Sequence, residues 1–188
     1  MIYSNNKKFM FYHVPKTAGT SMHLIIKRHC VNNGRIPGVR VHASVKNTWD
    51  IYNGSKYFSF AFVRNPYERL YSLYKFTKRR GRFNLTLKQF INNLNDFPDQ
   101  FGSSQYSLLN YKGNIPLSFI GKYENIKKDF NFVAEKIGIN ERYINLSFKH
   151  KLNEGSTTYR EVFNNELKAI IDEKHHDDFI NFNYKKEL

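Results

Sequence analysis

The sequence predicts an α/β fold: one domain over residues 1–188, with a central parallel sheet flanked by helices. Three short apolar runs at residues 8–14, 57–63 and 117–123 have the length and composition of buried strands. Each leads into a segment whose apolar residues repeat at helical spacing, and strands alternating with helices are the pattern of a parallel sheet covered on both faces. No internal repeat and no linker long enough to divide the chain interrupts that order.

Lys8 to Val14 is apolar and aromatic and ends in Pro15-Lys16-Thr17-Ala18-Gly19-Thr20-Ser21. Met22, Leu24, Ile25 and Ile26 then begin a helical pattern that runs to about Cys30. Asn33-Gly34 and Pro37-Gly38 punctuate the following loop, Val39 to Val41 reads as a short strand, and His42 stands at its end. Tyr57 to Val63 stops at Arg64-Asn65-Pro66, and Pro66 suits the first position of a helix, where no N–H is needed. Tyr67, Leu70, Tyr71 and Tyr74 give that helix its apolar face. Thr86 and Gln89 have the spacing of a capping box for a helix through about Leu94. Leu117 to Tyr123 is the third strand, followed by a helix from about Asn125 to Ile137 with Gly138 as its stop. A polar loop from His150 to Thr158 precedes helical segments to about Phe182.

Thirty Lys and Arg against 16 Asp and Glu leave a formal net charge of +14 and a pI of about 9.8. That balance requires an anionic partner: nucleic acid, a membrane surface, an acidic polymer or a phosphorylated cofactor. Hydrophobic residues at 40%, with 17 Phe and 13 Tyr, exclude disorder. Cys30 is the only cysteine and none of the seven histidines lies in an HExxH context, so no disulfide and no metal site is expected. No apolar run of about 18 residues exists to span a bilayer, and residues 1–8 lack the apolar stretch of a signal peptide. The chain reads as cytoplasmic, or as a catalytic fragment of a longer anchored protein.

Two segments carry chemistry. A strand feeding a tight Gly-containing turn and then a helix leaves backbone N–H groups pointing outward, ready for an anion. Thr17, Gly19, Thr20 and Ser21 are small enough for a phosphate to come close, and Lys16 waits at the loop entrance. In a Walker A loop the Lys comes late, beside the Ser or Thr; here it precedes the glycine. The second segment places Arg64 at a strand end and Ser72 about two turns into the next helix, a guanidinium and a hydroxyl able to share one phosphate. The alternative is Arg64 paired with a local carboxylate and Ser72 as an ordinary helix residue.

Phe11 to Ser21 resembles the 5′-phosphosulfate-binding loop of the carbohydrate sulfotransferases related to heparan sulfate 2-O-sulfotransferase. Arg64, Pro66 and Ser72 match that family's 3′-phosphate motif, an Arg with a Pro two residues on and a Ser eight residues after the Arg. The resemblance covers about residues 9–184. It implies a P-loop nucleotide-kinase-like sulfotransferase fold and 3′-phosphoadenosine 5′-phosphosulfate as co-substrate, with no metal. It further implies in-line transfer to a hydroxyl of a carbohydrate acceptor.

By the same resemblance, Lys16 contacts the oxygen bridging phosphorus and sulfur, and Thr17, Ala18, Gly19, Thr20 and Ser21 surround the phosphosulfate. His42 occupies the place of the catalytic base, in contact with the acceptor, with Glu68 and Glu124 as rivals because some members of the superfamily use Glu. Gln105, in Ser104-Gln105-Tyr106-Ser107, is expected to touch the acceptor, while Lys151 and Arg160 are candidates at the 3′-phosphate and adenine. Relative to that family the chain lacks a membrane anchor and paired cysteines and is shorter, departures that put heparan sulfate itself in doubt as the acceptor.

Two other classes compete. A kinase-like phosphotransferase would need a late P-loop lysine and a magnesium carboxylate that the strand ends do not offer. A non-enzymatic basic module would bind nucleic acid or anionic polysaccharide through Lys78, Arg79, Arg80 and Arg82; such a run is usually a solvated face, and nucleic acid is disfavoured.

Overall fold

Strand β1 (Ile2–Ser4) opens the chain and turns back, through a left-handed Lys8 (φ 50°), onto β2 (Phe9–Tyr12). The computed structural model describes residues 1–29, 42–81, 84–97, 101–139 and 157–187. Within it β1 pairs antiparallel with β2, β2 pairs parallel with β3 (Phe58–Val63), and β3 pairs parallel with β4 (Phe119–Lys122), in the order β1-β2-β3-β4. The sheet is therefore parallel across three strands, as expected, with an antiparallel edge strand that the sequence reading did not include. Three residues are too few for β1 to show an alternating pattern in the sequence. The expected strand at Val39 to Val41 and the residue Cys30 lie outside the described residues.

Because side chains alternate across a strand, the central strands feed two layers. Phe9, Phe11, Phe60 and Phe62 pack with Met22, Ile25 and Ile26 of α1 (Gly19–His29) and with Ile126, Phe130 and Val133 of α5 (Ile126–Lys136). Met10, Tyr12, Ala61 and Val63 face the opposite layer, against Val45, Phe182 and Leu108 and Leu109 of α4 (Gln105–Leu109). Each such Phe contributes roughly 1.5–3 kcal/mol by leaving water. A third cluster forms around α2 (Pro66–Arg79), where Tyr67, Leu70 and Leu73 meet four short helices: α3 (Leu87–Asn92), α6 (Tyr159–Val162), α7 (Asn165–Lys174) and α8 (His176–Asn181).

Caps fall where the sequence put them. The Thr86–Gln89 box starts α3, Pro66 is in the first turn of α2 with the Asn65 side chain accepting from Tyr67 and Glu68 N–H, and Gly138 (φ 65°) stops α5.

A buried polar knot ties α2, α4 and α8 together. The fully buried Asp178 carboxylate accepts from Gln105 N–H (3.0 Å), Gln105 Nε2 (3.2 Å) and Tyr106 N–H (2.7 Å). Arg69 of α2, also fully buried, donates to the Ser103 carbonyl at 2.6 Å and brings the compensating charge. Burial would raise the Asp178 carboxyl, but the adjacent His175, the Arg69 charge and the Gln105 N–H together hold it below its ordinary value. Asp178→Ala should cost about 3–5 kcal/mol, because it strands the Arg69 charge, and urea unfolding will show the loss. A carboxyl depressed in the folded state stabilises above its unfolded pKa of about 3.9. The gap between wild type and variant should therefore be full above about pH 4 and close as the pH falls further.

Candidate functional site

The chain leaves β2 at Tyr12 and reaches α1 through residues 13–18. Lys16 and Ala18 both hold left-handed backbones, φ 70° and 64°, a conformation that costs non-glycine residues about 1–3 kcal/mol and persists only where the surroundings impose it. Thr17 is part of what imposes it: its buried Oγ1 donates to the Val14 carbonyl at 2.9 Å, closing the loop from beneath. The Ala18 carbonyl accepts from Ser21 and Met22 N–H (3.0 and 3.2 Å), so α1 begins at once. Gly19 has no substitute here. A Cβ on it would fall 1.9 Å from Cδ2 of the His13 ring.

One cleft collects Lys16, Ala18, Gly19, Thr20 and Ser21 from this loop and Arg64 and Ser72 from the β3–α2 segment. His42 lines it too, together with His13, Phe76, Phe101 and Tyr123. Thr17 lies under the loop and not in the wall.

Lys16 Nζ sits 4.0 Å from the centroid of the Phe76 ring, and Arg80 covers the same ring at 4.5 Å. Burial first, then the charges of Arg64, Arg79 and Arg80, pull the Lys16 ammonium down to about 8. Such a cation is poised for an anion, which would restore its charge.

Arg64 is held from every side. Its Nε and Nη2 donate to Glu68 Oε2 (3.2 and 3.1 Å), its Nη1 to the Lys16 carbonyl (3.4 Å), and its plane lies 4.0 Å from the Tyr123 ring. Pairing with a local carboxylate, posed above as the alternative to phosphate binding, thus coexists with a place in the cleft wall. Its backbone is clamped as well: Gln105 Oε1 accepts from Arg64 N–H at 2.9 Å and Gln105 Nε2 donates to the Arg64 carbonyl at 2.8 Å.

His42 Nδ1 donates to the His13 carbonyl at 2.9 Å. A carbonyl only accepts, so Nδ1 carries the hydrogen and the neutral ring keeps its lone pair on Nε2, the arrangement a base needs. The ring lies 4.5 Å from that of His13 and edge-on to Phe101 at 5.5 Å. Burial, then the charge His42 carries when protonated, the N-terminus, a protonated His23 and Lys16, hold His13 well below the usual histidine value. The rival bases have other work. Glu68 is bound to Arg64, and Glu124 accepts from Asn65 N–H (2.7 Å) and the Tyr184 hydroxyl (2.9 Å).

Besides Thr17, two expected site residues among the described ones are not in the cleft wall. Gln105 was expected to touch an acceptor; instead it is fully buried, with its side-chain oxygen and nitrogen both spent on Arg64 and Asp178. Arg160 is exposed on α6 and stacks on Tyr159 at 4.7 Å. Lys151 lies outside the described residues. The sequence reading did not find Phe76, Phe101, Tyr123 or the cleft-lining ring of His13. Phe76 was findable, because it follows Ser72 by four residues and shares its side of the helix; the others come from distant segments.

The chain matches the model of the sulfotransferase family over residues 1–185. An uncharacterized protein of Archaeoglobus fulgidus is 39% identical over 88 residues, which make up 45% of this chain and 71% of that protein. The crystal structure of a sulfotransferase from Alicyclobacillus acidocaldarius aligns at a TM-score of 0.43 and 13% identity, covering 95% of this chain and 87% of that one.

Lys16 makes anion binding pH-dependent with a definite sign. A bound anion favours the charged ammonium, so affinity should be full below pH 8 and fall as the pH rises through about 8. Adenosine 3′,5′-bisphosphate is a suitable probe, since its phosphates stay ionised above about pH 7. Calorimetry between about pH 7 and pH 9.5 should show that decline in the wild type, and Lys16→Arg, whose guanidinium stays charged with a pKa above about 12, should flatten it.

Proposed function

This chain belongs to the sulfotransferase family, and from that premise we propose that it moves a sulfuryl group from 3′-phosphoadenosine 5′-phosphosulfate to a hydroxyl of a carbohydrate acceptor, with His42 as general base. One observation carries this reading: two separate strand–loop–helix units deliver their anion-binding residues, Lys16 to Ser21 and Arg64 with Ser72, to a single cleft that also holds His42. A donor with phosphate groups at both ends fits two anion positions; a ligand with one would leave a position idle.

The donor supplies an activated sulfuryl group on a good leaving phosphate. The chain's own residues do the rest. Arg64 and Ser72 take the 3′-phosphate, and Glu68 and Tyr123 keep the guanidinium oriented for it. Thr20, Ser21 and the first N–H groups of α1 hold the 5′ end. Lys16 places its charge where the departing phosphate gains negative charge as the sulfur–oxygen bond breaks. The acceptor oxygen forms the new bond to sulfur, and its proton passes to Nε2 of His42. The two phosphate loops resemble those of carbohydrate sulfotransferases, which supports a sugar acceptor, and the Phe101 ring beside His42 offers an apolar surface for one.

Titration with adenosine 3′,5′-bisphosphate, with ATP and magnesium as the comparison, tests the donor class. Binding indifferent to magnesium, and weakened about tenfold to a hundredfold by Arg64→Ala, is expected from the loss of a charge-assisted phosphate contact. Preference for ATP with magnesium would place the chain among phosphoryl-transfer enzymes and sink the proposal. His42→Ala should keep bisphosphate affinity and lose about 10²–10⁴ in turnover; a fully active variant would remove His42 from the mechanism.

A further inference from the structure

Lys75 follows Ser72 by three residues on α2, a spacing that places the two side chains as neighbours on one side of the helix. Its ammonium is shielded from solvent and lies 4.0 Å from the Tyr71 ring centroid, yet it has no hydrogen-bond acceptor among the described residues. An ammonium carries three donors. A shielded polar group without a partner is uncommon in a native fold and calls for a reason, and an aromatic face replaces only part of the lost hydration. Burial and then the Arg64 charge hold Lys75 below the ordinary lysine value, so the two cations lie close together. The carboxylate in register with Lys75, Glu68 at seven residues before it, is occupied by Arg64 Nε and Nη2. Two cations and a hydroxyl therefore share this side of α2, and the carboxylate in register with them is already in use by Arg64.

We propose that Lys75 is a third ligand, beside Arg64 and Ser72, of the phosphate bound at this end of the cleft; the assignment rests on the reading above that this phosphate is the donor's 3′ group. A phosphomonoester carries a charge of about −1.5 to −2 at neutral pH. Arg64 alone, its charge partly offset by Glu68, does not balance it, and Lys75 adds a further positive charge toward it. Without nucleotide the ammonium rests on Tyr71, and rotation about its four-carbon stem exchanges the ring for a phosphate oxygen.

The experiment compares wild type, K75M and K75R against adenosine 3′,5′-bisphosphate and adenosine 5′-monophosphate, which lacks only the 3′-phosphate. K75M should weaken the bisphosphate about tenfold or more while changing the monophosphate by less than about twofold, and K75R should retain most of the discrimination. The urea midpoint of nucleotide-free K75M should equal or exceed that of the wild type, because an unpaired shielded ammonium is gone. Equal weakening of both nucleotides, or weakening of neither, overturns the assignment. So does a K75M protein that unfolds earlier and loses both, which would make Lys75 a packing residue on Tyr71. A wild type that binds the two nucleotides equally tells a different story: it overturns the Arg64–Ser72 phosphate position itself, and Lys75 with it.

Discussion

Two hydrogen bonds between the Gln105 amide and the backbone of Arg64 organise the site. At the end of β3 a strand normally runs out of partners, and the next residue is free to wander. Here a side-chain amide from α4 reproduces the missing ladder for one more residue, donating to the carbonyl and accepting from the N–H. Gln105 is itself fixed by the buried Asp178 of α8, which Arg69 of α2 balances. One residue later, Glu124 accepts from Asn65 N–H while Asn65 caps α2. The junction that presents Arg64 is thus tied to three helices and to the turn that follows β4, and the guanidinium enters the cleft from a backbone with little freedom left.

The loop at residues 13–18 reaches comparable rigidity by another route. Its left-handed Lys16 and Ala18 are unfavourable by themselves, and the fold offsets them with the Thr17–Val14 bond and with Gly19 pressed against His13. His13 then acts twice, as the ring that only glycine can accommodate and as the carbonyl that orients His42. The candidate anion loop and the candidate base therefore share one support. A disturbance in either would be felt by the other.

Electrostatics follow from this crowding. Lys16 and Arg64 line the cleft, the charges of Arg64, Arg79 and Arg80 act on Lys16 and that of Arg64 on Lys75, and the Glu68 carboxylate is taken by Arg64. Like charges in a partly desolvated space depress each other's protonation and make the empty site costly. An anion bound there, as proposed above, would remove that cost.

The sequence by itself determined the layers and the two strand-to-helix loops that line the cleft. Phe9, Phe11, Phe60 and Phe62 had to be buried, Pro66 and the Thr86–Gln89 pair had to start helices, and Lys16, Ser21, Arg64 and Ser72 marked the two loops of the candidate site, because these are local properties of composition, spacing and backbone preference. Only the tertiary structure decided which residues meet. It turned Gln105 from an expected acceptor contact into a buried clamp, brought Phe101 and Tyr123 to the cleft, and set Arg69 against Asp178 across more than a hundred residues. Those pairings depend on contacts between segments far apart in the chain, and no local pattern encodes a partner that distant.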